Sequence, residues 1–449
     1  MRYEKSGEST NRMMRSEQEA AAPAGGGVIE DQQPPRAGRE RTDPTVVAAR
    51  IDEVVAELEP RLIAYRRDMH AHPEPSREEH RTTARIRGVL ESLDLEPQGL
   101  DVSTGLYVDV LPRGQRRTPR IGLRADIDAL QLLDTKDVPY RSTHEGVAHA
   151  CGHDVHTTVL LGTAAVLARL RDEGLLQRGV RLLFQPAEET IGGASDMVAQ
   201  GLLDELREVY ALHCDPRTEV GRVALRTGAI TSACDRFSVR FIGPGGHSSR
   251  PHLSADLVMA IGAVITEVPT LLSRRIDPRV GASMVWGQVR AGNAANAIPA
   301  TGELSGTLRC LQLEGWQRAR DLVPELIAQV AAPYGVEVEV DRSEGIPPTV
   351  NHPGGTARLA EAVRTMLGVD GVGETEQSLG GEDFSEMLLR VPGALGRLGV
   401  RPLGQQDWPD LHRPEFDVDE QCLAIGVRVL SALVALRGDP APPRKRPAS

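Results

Sequence analysis

A chain of 449 residues with 40% apolar residues is long enough to bury two or three cores, which excludes a single-layer or disulfide-stapled miniprotein. A net charge of −11, scattered basic residues and an aromatic content of 3% argue against nucleic-acid grooves and base-stacking platforms. Cys151, Cys214, Cys234, Cys310 and Cys422 form no CxxC pair and are odd in number, so free or metal-bound thiols in the cytoplasm are expected, with no membrane span and no signal peptide.

Residues 1–43 lack apolar periodicity and read as a disordered lead; the Pro- and Arg-rich end, 438–449, reads as a disordered tail. From Pro44, apolar residues Val46, Val47, Ile51, Val54, Val55, Leu58, Leu62 and Ile63 recur at helical spacing until His72-Pro73 breaks the run. A second helix is predicted over 77–93 and strands over 106–111 and 121–124, followed by helix 157–170, strand 179–184, helix 193–200 and strand 208–212. Such alternation predicts an α/β fold with an open mixed sheet flanked by helices, and ligands beyond the carboxyl ends of the strands. Asp126, the pair Glu188-Glu189 and His213 fall at those ends.

Between 236 and 342 the rhythm changes to strand 236–242, helix 254–275, strands 281–290 and 300–309, helix 314–332 and strand 336–341. This βαββαβ order predicts an inserted ferredoxin-like domain over 233–344. It divides the α/β domain into 44–232 and 345–437, the second part carrying helix 354–367, strand 395–399 and helix 418–436.

The chemistry concentrates in H-A-C-G-H-D-V-H, since four of the 12 histidines lie within 142–158. Cys151 and His153 flank a glycine, so a thiolate and an imidazole can address one volume. Taken singly, a buried Cys, a capping His or a surface Glu-Glu pair is ordinary. Cys151, His153, Glu189, His213 and His412 together form five mixed S, N and O donors, too many for one tetrahedral ion and suited to two sharing a bridge. In Glu188-Glu189 successive side chains diverge, so one can bind metal while the other stays free as a base.

These motifs, with H-A-H-P-E-P-S, L-R-A-D-I-D-A-L, F-Q-P-A-E-E, G-P-G-G-H-S-S-R-P-H, N-A-I-P and G-E-D-F, make the chain resemble the M20 peptidase family of metal-dependent amidohydrolases over 44–436. The likeness is to its aminoacylase, hippurate hydrolase and auxin-conjugate hydrolase branch. It implies that Cys151 bridges two divalent transition-metal ions (Zn, Mn, Co or Ni), one also held by His153 and His213 and the other by Glu189 and His412. It further implies Glu188 as general base, Asp126 as a carboxylate orienting an imidazole, His247 as a lid residue contacting the reacting carbonyl, and Asn296 and Arg309 as substrate contacts. The activity implied is hydrolysis of N-acyl amino acids or related conjugates. The alternatives are a dipeptidase or aminopeptidase of the same family, a silent metal-binding scaffold, or a cysteine hydrolase, the last disfavoured because a bridging thiolate cannot attack. A homodimer through the inserted domain is also implied. Gln131 stands where the branch has Pro, and Gly381 where it has Ser or Ala.

Overall fold

The computed structural model describes residues 43–114, 120–343 and 345–436; the lead up to residue 42 and the tail 438–449 lie outside them. Helix α1 (Pro44–Ala71) begins where the Asp43 carboxylate accepts the Thr45 N–H at 2.9 Å and Pro44, lacking a donor, takes the first turn. It stops ahead of Pro73, and α2 (His80–Glu91) follows. Next come β1 (Gln98–Gly99), β2 (Leu106–Val110), β3 (Arg120–Asp126), α3 (His153–Asp172), β4 (Gly179–Gln185), α4 (Gly193–Ala199) and β5 (Leu206–Glu219). Helix α3 starts four residues before the predicted 157, which places both His153 and His156 in its first turn.

After β6 (Val223–Leu225) and β7 (Gly228–Ala229) the chain builds a second sheet from β8 (Ala233–Ile242), β10 (Ser283–Ala291), β12 (Thr301–Cys310) and β13 (Glu337–Arg342). The short strands β9 (Gly246–His247) and β11 (Ala297–Ile298) pair with each other, and helices α5 (Leu257–Arg275) and α6 (Leu313–Ala331) pack on the second sheet. The remaining elements are β14 (Val350–Asn351), α7 (Pro353–Leu367), β15 (Val372–Glu374), α8 (Phe384–Arg390), β16 (Gly393–Arg401) and α9 (Gln421–Ala435).

The large sheet has the order β1-β2-β4-β3-β5-β16-β6-β15. Its centre, β4-β3-β5-β16, is parallel, while β2 joins β4 and β6 joins β16 antiparallel. One face buries Leu123, Ala125, Phe184, Leu212 and Leu398 in a core shared with α1, α3 and α9. The other buries Leu183, Val209, Ala211 and Leu395 against α4 and α8. Because side chains alternate along a strand, Asp126, Gln185, His213 and Arg397 all fall on this second face, on four adjacent strands.

The second sheet, ordered β10-β12-β8-β13, is antiparallel throughout and has a separate core containing Phe237, Phe241, Val264 and Leu304. By length and apolarity alone helix α5 could cross a membrane. Here its apolar stripe, Leu257, Ile261, Val264, Val268 and Leu272, packs into the core of the second sheet.

One buried ion network ties the helices to the site. Arg66 of α1, 1% exposed, donates to Asp154 at 2.8 Å in the first turn of α3 and to Asp417 at 2.7 Å in the segment between His412 and α9. Asp154 also meets His70 Nδ1 at 2.7 Å.

Candidate metal centre

Gly152 caps α3 with φ +84°, and a Cβ there would sit 2.7 Å from Cys214 Sγ; only glycine lets the Cys-x-His turn close against β5. Two further residues of the site hold left-handed backbone, Ala187 at φ +53° just before Glu188 and His412 at φ +63°. The His412 amide donates to Ala150 O at 2.8 Å, which pins the histidine over the Cys151 turn. Strain of this kind persists only where surrounding structure enforces it.

Cys151 Sγ lies 3.6 Å from His213 Nε2 and 3.3 Å from His412 Nε2. Glu189 Oε1 is 3.5 Å from His412 Nε2 and 3.8 Å from His153 Nε2. The donors therefore form two triads, Cys151-His153-His213 and Cys151-Glu189-His412, which share the sulfur. Bonds of about 2.3 Å to sulfur and about 2.1 Å to nitrogen at a tetrahedral angle hold S and N about 3.6 Å apart, so the spacing suits a cation between them.

The lone pairs also point inward. His213 Nδ1–H donates to Cys214 O at 2.8 Å, and His153 Nδ1–H donates to Asp128 O at 3.0 Å and Oδ1 at 3.2 Å, so each ring, when neutral, leaves Nε2 as the free nitrogen. His153 Nε2 and Glu189 Oε1 are buried with no hydrogen-bond partner. His156 is fully engaged: its Nε2 accepts from Cys214 N at 2.8 Å and its Nδ1 faces Asp126 Oδ1 at 2.5 Å.

Asp126 thus orients His156, and its other oxygen receives Arg124 at 2.7 Å. The carboxylate that holds the ring of His153 is Asp128, which sequence reasoning passed over; the spacing of the two acids in A-D-I-D was the available signal. Asp128 Oδ2 also accepts the Glu189 amide at 3.0 Å and the Ser76 hydroxyl at 2.6 Å, so one residue positions two of the donors.

Glu188 is buried with Glu382 and Asp383, and its Oε2 lies 3.9 Å from His153 Nε2. Against these acids stands Arg124, which donates to Asp383 and pairs with Glu382, both at 3.0 Å. Burial, then Glu382, Glu189 and Asp383, push the Glu188 carboxyl well above the ordinary range, with Arg124 opposing. Burial together with Glu189 and Glu188 likewise pushes the Cys151 thiol up. For His153 burial works against charge, yet Asp126, Asp128 and Glu189 raise it to about 10. The carboxylates gathered around His153, Glu188 and Cys151 crowd negative charge into a buried volume, which divalent cations would offset.

His247, Asn296 and Arg309 are not joined to these donors by any hydrogen bond or ion pair among the described residues. His247 is exposed on β9 and bonds Ser249, while Asn296 sits beside it with its carbonyl accepting from Ser248 N at 3.2 Å. Arg309 donates to Leu379 O at 3.1 Å. Gln131 and Gly381 are both exposed, and the space above Gly381 is taken by Ile346, whose Cδ1 would lie 2.6 Å from an added Cβ.

Fold and donor set together define the class: metal-dependent hydrolases built on an open α/β sheet. The chain belongs to peptidase family M20/M25/M40, whose model matches residues 122–436. N-acetyl-L-cysteine deacetylase of Bacillus subtilis is 35% identical over 367 residues, 82% of this chain and 85% of that protein. A Rhodococcus jostii protein named as a glutamate–cysteine ligase 2-3 is 47% identical over 379 residues, 84% of this chain; the chain spans about half of that relative, 47% of its length. Among solved structures, a dinuclear metal-binding peptidase of the M20 family from Bacillus subtilis superposes with a TM-score of 0.73 at 31% identity, covering 85% of this chain and 98% of that one.

Proposed function

We propose that the protein is a metal-dependent amidohydrolase that cleaves N-acyl amino acids or related conjugates into a carboxylic acid and a free amine. The observation that carries this reading is the pair of donor triads sharing Cys151, with the buried Glu188 carboxyl beside them, 3.9 Å from His153 Nε2. Cys151, His153 and His213 would hold one divalent transition-metal ion, and Cys151, Glu189 and His412 the other; the S/N/O set suits Zn, Mn, Co or Ni. Bound there, the ions supply Lewis-acid polarisation of the scissile carbonyl and acidify water.

The remaining chemistry belongs to the chain. Glu188 takes a proton from the attacking water and delivers it to the leaving nitrogen as the C–N bond breaks, work for which burial has lifted its pKa from the ordinary carboxylate range. Asp128 keeps His153 and the Glu189 backbone in place while the proton moves. The deacetylase name of one relative supports the acyl amino acid class and makes N-acetyl-L-cysteine the first compound to try. Dipeptides are the second reading, supported by the peptidase name of the solved relative.

The unit 233–344 acts in this reading as lid and dimerisation domain. Strand β10 is an edge strand carrying Val285 and Val289, 58% and 54% exposed, an edge suited to pairing with a second copy. His247, exposed and unconnected to its own donors, would then serve the partner's site as an oxyanion contact, with lid closure onto its own site as the rival. The five free cysteines suit the reducing cytoplasm. Metal analysis with chelation and add-back, followed by a panel of N-acyl amino acids, dipeptides and esters, tests the reading. Full activity in metal-free protein, or ester cleavage alone, would sink it.

A further inference from the structure

Strand β16 is apolar through its interior except for Arg397, 6% exposed and set between Gly396 and Leu398; its other arginine, Arg401, stands at the strand's end. It pairs in register with His213 of β5 and shares its face of the sheet, the face that also bears Asp126 and Gln185. Among the described residues no hydrogen bond or ion pair reaches its guanidinium. Asp215, its acidic neighbour, is committed elsewhere: Oδ1 accepts from Arg217 N and Nε, each at 3.1 Å, and Oδ2 accepts the Thr218 hydroxyl at 2.9 Å. Burial disfavours the Arg397 charge, and the pull of Asp215, Glu382 and Cys151 does not fully compensate.

A buried, unpaired guanidinium is expensive, and a metal site is the last place where a spare cation helps, because it repels the ions and weakens the imidazoles beside it. Its charge already helps to depress His213, after burial and His156. A fixed cation in that position makes physical sense when an anion arrives to meet it. The fork of five N–H donors matches the two oxygens of a carboxylate.

We propose that Arg397 is a substrate-binding residue whose guanidinium takes a carboxylate of the substrate in a two-point hydrogen-bonded pair beside His213. The proposal rests on the amidohydrolase reading above and narrows it to acyl conjugates with a carboxylate within reach of this strand. That carboxylate belongs either to the amino-acid half or to a dicarboxylic acyl half.

Two matched pairs of compounds separate the sources: N-acetyl-L-alanine against N-acetyl-L-alaninamide, and N-succinyl-L-alanine against N-butyryl-L-alanine. In the metal-loaded enzyme, Arg397→Met should lower kcat/KM for the carboxylate-bearing member of one pair by on the order of 10²-fold more than for its neutral partner. A selective loss on the first pair assigns the amino-acid carboxylate to Arg397, and on the second the acyl carboxylate. Arg397→Lys should recover only part of the loss, because an ammonium lacks the planar fork. The Tm of Arg397→Met should hold or rise, since an apolar side chain replaces an unpaired buried charge.

Equal losses within both pairs, or none, overturn the proposal, as does a lowered Tm without substrate selectivity. If Arg397→Met does not fold, Arg397→Lys and Arg397→Gln carry the same comparison. If the unaltered enzyme hydrolyses none of the four compounds, the amidohydrolase reading falls. Calorimetric binding of the same pairs to unaltered and variant protein then still decides whether Arg397 selects a carboxylate.

Discussion

Replacing Glu188 by Gln separates catalysis from metal binding. Glu188 Oε2 lies 3.9 Å from Nε2 of His153, whereas Glu189 Oε1 lies 3.5 Å from His412 Nε2. Glutamine keeps the volume and one oxygen but cannot accept and return a proton. Loss of a positioned base lowers kcat by roughly 10²- to 10⁴-fold, about 3 to 5 kcal/mol of barrier at about 1.36 kcal/mol per tenfold. The metal-to-protein ratio should stay at the wild-type value, and KM should move far less than kcat. A second readout comes from chelated protein. Burial and the neighbouring acids raise Glu188 well above 4.5, and burial together with Glu382 raises Asp383 from 3.8 to about 7 even against Arg124. A carboxyl whose folded-state pKa is raised contributes stability fully present below its unfolded value and lost as pH rises through the folded one. Urea unfolding of chelated wild-type protein should therefore weaken from the unfolded values of 3.8 and 4.5 up through about pH 7, and Glu188→Gln should flatten that decline. Metal content falling together with the rate would show that Glu188 is a ligand and Glu189 the base; a kcat within tenfold of wild type would refute the base assignment altogether.

Asp128→Asn should weaken metal affinity by roughly 10- to 100-fold in a competition titration with a chelator, because it loosens both His153 and the Glu189 backbone; unchanged affinity removes Asp128 from the site's support. Arg66→Ala leaves the buried Asp154 and the half-buried Asp417 without their guanidinium and should cost about 3 to 5 kcal/mol in denaturant unfolding, with a smaller loss reducing the network to a minor contact. Mixing inactive Glu188→Gln chains with inactive His247→Ala chains should restore activity in the mixed dimer, where one site has both residues intact. Mixed dimers that form yet stay inactive refute the in-trans role of His247.

By itself the sequence determined the order of elements and the kinds of donor present. Helical spacing from Val46 to Ile63, the apolar strands around 121–124 and 179–184, and the strand-helix alternation are local patterns, so they survive without knowledge of what packs against what. Cys151, His153, Glu188-Glu189 and His213 were legible as polar residues at the ends of apolar elements. The boundaries moved where tertiary contacts intervene: α3 begins at His153 because Gly152 closes against Cys214 of β5. Only the tertiary structure decided which side chains share a face. Parallel pairing of β3, β4, β5 and β16, strands distant in sequence, sets Asp126, Gln185, His213 and Arg397 side by side. It also decided that Asp126 serves His156 while Asp128 serves His153, two acids that periodicity alone treats alike. Strand β16 carries two arginines, Arg397 in its interior and Arg401 at its end. That Arg397 is buried beside His213, with no hydrogen bond or ion pair among the described residues, follows from strand register, which no local pattern encodes.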